Sequence, residues 1–271
     1  MLEKARRWRR DGQSIGLVPT MGALHAGHMS LVERACLDNT RVVVSVFVNP
    51  IQFGPEEDLA RYPASPERDL EMLQKAGVAA VYKPTAAVMY PPRATTRVKV
   101  DGVSEPLEGA ARPGHFEGVA TVVAKLFNAT EPDRAYFGQK DAQQVAVVKR
   151  VALDLDTGIE ICVCPTVREP GGLALSSRNG YLAPDERKAA ACLSAALRWA
   201  ADAHRAGEQD LTRLRQGIIG ILEAEPLAKV AYAELVDPVT FTAPGTLAVL
   251  AVWIGKTRLI DNHDLAQPFP G

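Results

Sequence analysis

No run of apolar residues in this chain approaches the ~20 that a membrane-spanning helix needs. The opening MLEKARRWRRDGQS is basic but lacks the apolar middle of a signal peptide. Glu3 and Asp11 also interrupt it where an Arg-rich transit peptide would be free of acids, so residues 2–11 read as a short surface helix with a solvated basic face. There is no excess of either charge. The formal net charge is −1 and the pI about 6.5, against a dedicated nucleic-acid binder. Cysteine is scarce: Cys36, Cys162, Cys164 and Cys192 include no CxxC pair and no Cys/His cluster with zinc-ligand spacing. Cys162 and Cys164, two apart in the strand-like IEICVCP, should share one face, and all four read as buried thiols in a reducing cytosol. The sequence contains no GxxxxGK[ST] loop, no GxSxG elbow, no internal repeat and no low-complexity segment.

What is present is ordinary globular material, 271 residues with 47% hydrophobic and 23% charged. Strand-like and helix-like runs alternate. Strands are predicted at Ile15–Val18, Arg41–Val48, Val78–Tyr82, Arg134–Phe137 and Glu160–Cys164. RVVVSVFV at 41–48 is apolar nearly throughout, as a strand buried on both faces must be. Helices are predicted at 28–38, 65–77 (Ser65 as N-cap, Pro66 first, Gly77 as stop), 117–129 and 142–153. Such alternation implies a mostly parallel sheet with helices on both sides and ligands beyond the carboxyl ends of its strands. The pattern changes near residue 177. Helices at 184–205 and 211–223 precede strands at 230–236, 247–253 and 258–260, which suggests a smaller α+β domain. The expected division is therefore 1–176 and 177–271.

Four polar motifs fall at predicted strand-to-loop junctions. Pro19-Thr20-Met21-Gly22-Ala23-Leu24-His25-Ala26-Gly27-His28 leaves a strand and enters a helix. Its glycines permit close backbone approach, and the helix start offers free N–H groups to phosphate. His25 and His28 could donate to phosphate oxygens, cap the helix, pack in the interior or ligate a metal, although no third ligand lies nearby in sequence. Beside Gly27, His28 is expected to have little packing role. Leu175-Ser176-Ser177-Arg178-Asn179 is either a compact anion cradle or a polar loop with a capping serine. In Gly138-Gln139-Lys140-Asp141, Lys140 suits a phosphate and Asp141 a ribose hydroxyl, with Gln144 one turn on. An ordinary turn with Asp141 as N-cap is the plain alternative. Asn49-Pro50-Ile51-Gln52 offers amides for a hydroxyl or carboxylate, or is simply a Pro/Gly turn.

PTMGALHAGH resembles the HxGH signature of the nucleotidylyltransferase superfamily, and LSSRN resembles that superfamily's KMSKS element. The ordered set of FVNPIQFG, RPGHFEGVATVVAKLF, FGQKDAQQ and PTVREPGGLALSSRN resembles the pantothenate synthetase family over nearly the whole chain. The resemblance implies a Rossmann-like domain and an ATP- and magnesium-dependent condensation of pantoate with β-alanine, giving AMP and pyrophosphate. It also implies a cytoplasmic homodimer. By the same resemblance Pro19 to His28, Gly138 to Asp141 and Leu175 to Arg178 would form the ATP site. Val167 would hold adenine through its backbone, and Gln52, Gln144, Asn49 and Arg112 would meet the small substrates. His25, His28, Lys140 and Arg178 would stabilise charge on the reacting phosphates. Leu175 stands where the family often has methionine, of similar volume, and Gln139 where it often has glutamate. The chain begins closer to HxGH than is usual, so an edge strand is expected to be missing. Two other classes share parts of this inventory: a nucleotidyl transferase that releases its nucleotidyl product, and a non-enzymatic nucleotide-binding protein.

Overall fold

The computed structural model describes residues 1–55 and 57–270. The chain forms two compact units, one of Met1–Gly138 with Gln143–Pro165, the other of Gln139–Ala142 with Thr166–Gly271.

The first unit opens with α1 (Leu2–Arg10), β1 (Ile15–Thr20), α2 (Ala26–Asp38), β2 (Arg41–Val46), α3 (Pro66–Lys75) and β3 (Ala80–Tyr82). Two short helices, α4 (Ala86–Met89) and α5 (Glu108–Ala111), lead to α6 (His115–Thr130), β4 (Arg134–Gly138), α7 (Ala142–Asp154) and β5 (Glu160–Cys164). The strands are all parallel, in the order β3-β2-β1-β4-β5. This is the Rossmann-like sheet expected. The direction of winding reverses between β1 and β4, where such sheets bind ligands.

Period-two alternation explains how one sheet serves two cores. Leu17, Val43, Ala135 and Phe137 face α6 and α7, together with Trp8 of α1. Their neighbours Val18, Val42, Val44 and Tyr136 face α2 and α3. Cys162 and Cys164 both pack into this second cluster, on one face as their spacing requires, and burial raises both thiol pKa values. All four cysteines are free thiols. α1 is less solvated than its basic sequence implies. Ala5 and Trp8 are buried, and Arg6 and Arg9 pair with Glu131 and Asp133 at 3.0 and 3.2 Å.

The second unit carries α8 (Pro184–Ala189), α9 (Ala191–Arg205), α10 (Leu211–Glu223) and an antiparallel sheet of β6 (Ala228–Val236), β7 (Leu247–Ile254) and β8 (Thr257–Asp264). Leu214, Ile218 and Leu222, four apart on α10, pack with Leu193, Leu197 and Ala201 of α9 against Leu250 and Val252 of the sheet. Two expectations need correction. The helix predicted over 184–205 is interrupted at Ala190, where the Leu193 N–H reaches back only three residues, to the Ala190 carbonyl. The last strand runs to Asp264 instead of stopping at Ile260, because Asp261 and Asn262 are buried against polar partners of their own unit. Polar residues buried by tertiary pairing leave no apolar alternation to read.

Among the described residues no helix is long and apolar enough to cross a membrane.

Candidate active site

In the first unit, three adjacent strands deliver the motifs to one edge of the sheet. β1 runs into the 19–28 motif, β2 leads to a 3-10 turn at Pro50–Gln52, and β4 precedes α7, which carries Gln144. Pro19 and Thr20 close β1. Thr20 Oγ1 donates to the Ser45 carbonyl at 2.7 Å and accepts the Gly22 N–H at 3.3 Å. Gly22 (φ +88°) and Ala23 (φ +51°) are both left-handed. A Cβ at Gly22 would lie 3.1 Å from Asp69 Oδ2 and 3.2 Å from Val46 Cγ1, so glycine is required there. Asp69 of α3, itself buried, holds the next two backbone groups: Oδ2 accepts from Ala23 N–H at 2.9 Å and Oδ1 from Leu24 N–H at 2.8 Å.

The two histidines cap α2 reciprocally. His25, the N-cap, accepts the Gly27 N–H on Nδ1 at 3.2 Å, and His28 Nδ1 accepts the His25 N–H at 3.4 Å. A neutral imidazole that accepts on Nδ1 carries its proton on Nε2. Both rings, 4.1 Å apart by centroid, therefore present Nε2–H donors beside the positive end of a helix. Capping engages Nδ1 of each ring, so it does not use the nitrogen that phosphate donation would require. His28 thus has a structural role that its place beside Gly27 did not suggest.

Around Gln52 the polar groups form a chain. Gln52 Nε2 contacts Met21 Sδ at 3.4 Å, and its Oε1 accepts from Asn49 Nδ2 at 2.9 Å. Asn49 Nδ2 also donates to the Gly118 carbonyl at 3.0 Å, and Asn49 Oδ1 accepts from the Tyr90 hydroxyl at 2.7 Å. His115 Nδ1 lies 2.9 Å from the Gln52 carbonyl, while its Nε2 is 3.0 Å from Arg112 Nη1. A guanidinium only donates, so His115 accepts on Nε2 and donates from Nδ1. Burial first, then the Arg112 charge, lowers its pKa to about 4, which keeps the ring neutral. Arg112 donates from Nε and Nη2 to the two carboxylate oxygens of Glu57, at 2.9 and 2.7 Å. It thus reaches Gln52 through His115. The Gln144 side chain, half-buried in the first turn of α7, makes no hydrogen bond among the described residues.

Apart from Gly138, the remaining motif residues belong to the second unit. Gly138 ends β4 in the first unit, and the 3-10 turn Gln139–Asp141 that follows is anchored by Asn262 of β8. Asn262 Nδ2 donates to the Gln139 and Lys140 carbonyls at 3.0 and 2.9 Å, and its Oδ1 accepts from Gln139 Nε2 at 2.9 Å. Lys140 Nζ lies 3.4 Å from Asp141 Oδ1. Val167 and Leu175 are brought together, the Leu175 N–H donating to the Val167 carbonyl at 2.9 Å. Ser176 caps the 3-10 turn Ser177–Tyr181 by accepting the Arg178 N–H at 3.3 Å. Asn179, buried, donates to Glu169 at 2.9 Å and to the Ala174 carbonyl at 3.0 Å, which fixes the loop from beneath.

Asp69, Tyr90, His115, Gly118 and Asn262 support these motifs and carry no signal of their own at that distance in sequence. His115 and Gly118 at least lie inside the quoted RPGHFEGVATVVAKLF.

A Rossmann-like sheet whose first strand runs into an HxGH helix start defines a nucleotide-binding α/β fold of the nucleotidylyltransferase type. A family model described as pantoate-beta-alanine ligase matches residues 1–264. Curated pantothenate synthetases from Roseiflexus castenholzii and Clostridium acetobutylicum are 54% and 52% identical, covering 92% and 95% of this chain and 91% and 93% of their own lengths. The crystal structure of pantothenate synthetase from Thermus thermophilus superposes with a TM-score of 0.91 at 45% identity, over 96% of this chain and 97% of that one. Pantoate-beta-alanine ligase from Francisella tularensis, solved in complex with beta-gamma ATP and beta-alanine, gives 0.81 at 35% identity over 98% and 96%. The chain belongs to the pantoate–β-alanine ligase family.

Proposed function

We propose that this protein condenses pantoate with β-alanine at the expense of ATP, through a pantoyl-adenylate, releasing AMP and pyrophosphate. The observation that carries the reading is the family match over residues 1–264. The paired Nε2–H donors at the α2 N-terminus supply chemistry that the reaction needs.

A carboxylate oxygen of pantoate attacks the α-phosphorus of ATP. The bond from that phosphorus to the bridging oxygen breaks, and pyrophosphate leaves with the electron pair. Charge grows on the non-bridging and leaving oxygens, where His25, His28, Lys140 and Arg178 act as donors. The amine of β-alanine then attacks the acyl carbon, the acyl–phosphate C–O bond breaks, and AMP departs as the nitrogen sheds a proton. Pro19 to His28, Gly138 to Asp141, Val167 and Leu175 to Arg178 serve ATP. Gln52 and Gln144 bind pantoate, with Asn49 and Arg112 in support. Neutral amides leave the bound carboxylate more nucleophilic than an arginine clamp would.

Among the described residues no three His, Cys, Asp or Glu side chains group to hold a metal ion. Magnesium, when bound with ATP, would supply positive charge to offset that developing on the leaving pyrophosphate. A cytoplasmic homodimer, with a nucleotide-binding domain to about residue 176 and a smaller domain after it, belongs to the same reading.

The test is incubation with ATP, magnesium, pantoate and β-alanine, followed by omission of each acid in turn. AMP formation should require both acids. Pantoate alone should release about one pyrophosphate per site as a burst. Steady nucleotidyl-product release without the amine would establish a transferase instead.

A further inference from the structure

We infer that Tyr90 is a positioning residue for the acid subsite: acting through the Asn49 amide, its hydroxyl holds Gln52 with the Nε2 donors turned toward Met21. The inference rests on the proposed binding of pantoate by Gln52.

An amide side chain can bind with either end, so a glutamine selects a carboxylate only if something fixes which end points outward. Here the sequence of bonds settles it. The Gly118 carbonyl can only accept, so the Asn49 atom 3.0 Å from it must be Nδ2. The second hydrogen of Nδ2 then goes to Gln52, 2.9 Å away, and the Gln52 atom receiving it must be Oε1. Gln52 is left with Nε2, a double donor, on its outer side beside Met21. That is the polarity an anionic carboxylate or a hydroxyl oxygen requires.

Asn49 is 1% exposed, and among the described residues its Oδ1 has one partner, the Tyr90 hydroxyl at 2.7 Å. The backbone beneath Gln52 is fixed separately. His115 donates to its carbonyl, and a Cβ on Gly118 would lie 2.6 Å from its Cα, so α6 presses directly on the 50–52 turn. Backbone placement therefore survives removal of the Tyr90 hydroxyl, whereas amide polarity does not. Without it Asn49 Oδ1 is a buried acceptor with no donor. Exchanging the two ends of Asn49 would set oxygen against the Gly118 carbonyl, so the side chain must swing away and release Gln52. Tyr90 suits this task. It packs against Phe47 at 6.2 Å, and burial pushes its phenol up to about 12, which keeps it a protonated donor at any working pH.

The experiment compares Tyr90→Phe, Gln52→Ala, the double variant and the isosteric Asn49→Asp. Each is assayed with pantoate, ATP and β-alanine varied separately, alongside thermal unfolding. Tyr90→Phe should raise KM for pantoate about tenfold, the effect of about one net hydrogen bond. KM for ATP should stay near that of the parent, while the unfolding midpoint falls modestly because one buried acceptor loses its donor. Asn49→Asp, which turns the donor into an acceptor, should raise KM for pantoate further. The double variant should be no worse than Gln52→Ala alone. An unchanged pantoate KM in Tyr90→Phe or Asn49→Asp, while Gln52→Ala raises it, would overturn the inference. So would additive effects in the double variant, or an equal weakening of all three substrates. If Gln52→Ala itself leaves pantoate KM unchanged, the assignment of the subsite fails first, and the inference with it.

Discussion

Asp69 Oδ1 accepts the N–H of Leu24 at 2.8 Å across 45 residues of sequence, while its second oxygen accepts the N–H of Ala23 at 2.9 Å. One buried carboxylate thus holds the turn that feeds the HxGH helix. Asp69→Asn keeps the shape but supplies a single acceptor oxygen and sets an NH2 group against a backbone N–H. We expect a loss of about 1–3 kcal/mol in denaturant unfolding and a clear rise in KM for ATP. Unchanged ATP kinetics would show that the turn keeps its geometry without this carboxylate.

His28→Ala should lower turnover by about 10²–10³-fold, the usual cost of one lost transition-state donor. It should also cost about 0.5–2 kcal/mol of stability, because the ring closes a capping arrangement with His25. The two effects separate in His28→Gln. A glutamine at the third helical position can accept the N-cap N–H as the imidazole does. Stability should recover while turnover stays low. A turnover near that of the parent in His28→Ala would remove the residue from the chemistry.

The first unit is readable from sequence because its physics is local. β2 shows itself as a valine-rich run, and α3 is bracketed by Pro66 and the left-handed Gly77. The candidate site is legible as motifs at strand ends, since glycine, histidine and amides cluster there without a core role. What stays hidden depends on distance. Nothing in ERDLEM says that Asp69 reaches a loop 45 residues earlier, and Tyr90 reads as one more aromatic beside two prolines. The last strand reads as too short for a related reason. Asp261 looks like a solvated residue until Arg168 is found bound to it at 2.6 and 3.0 Å.

His115 gives the fold a pH limit. Its folded pKa, about 4, lies below the ordinary 6.5, with burial the main cause. Between those values the unfolded chain binds the proton and the folded one does not. The stability contributed by the neutral ring is therefore complete above pH 6.5 and is lost as pH falls toward 4. The full effect is on the order of 3 kcal/mol. Unfolding free energy measured from about pH 7 to about pH 4.5 should decline, and His115→Gln should show a shallower decline over that range. Equal slopes in the two proteins would assign the acid sensitivity to other groups, His263 first among them, whose pKa burial also lowers.

Gln143 and Gln144 are adjacent on α7 and should divide structure from function cleanly. Gln143 is buried and fully engaged: Nε2 donates to the Val103 and Pro106 carbonyls at 2.9 and 2.8 Å, and Oε1 accepts the Glu108 N–H at 3.1 Å. Removing it orphans buried backbone groups on the 103–108 segment, at about 1–3 kcal/mol for each one left unpaired. The Gln144 side chain makes no hydrogen bond among the described residues, so truncating it orphans nothing there. Gln143→Ala should therefore lower the unfolding midpoint and leave pantoate KM near normal in whatever fraction stays folded. Gln144→Ala should unfold like the parent yet lose most pantoate-dependent pyrophosphate release, with ATP binding intact. Equilibrium unfolding together with a single-turnover pyrophosphate assay distinguishes them. If Gln144→Ala keeps a full-amplitude burst at sub-saturating pantoate, its amide does not touch the acid, and pantoate must be held from the Gln52 side alone.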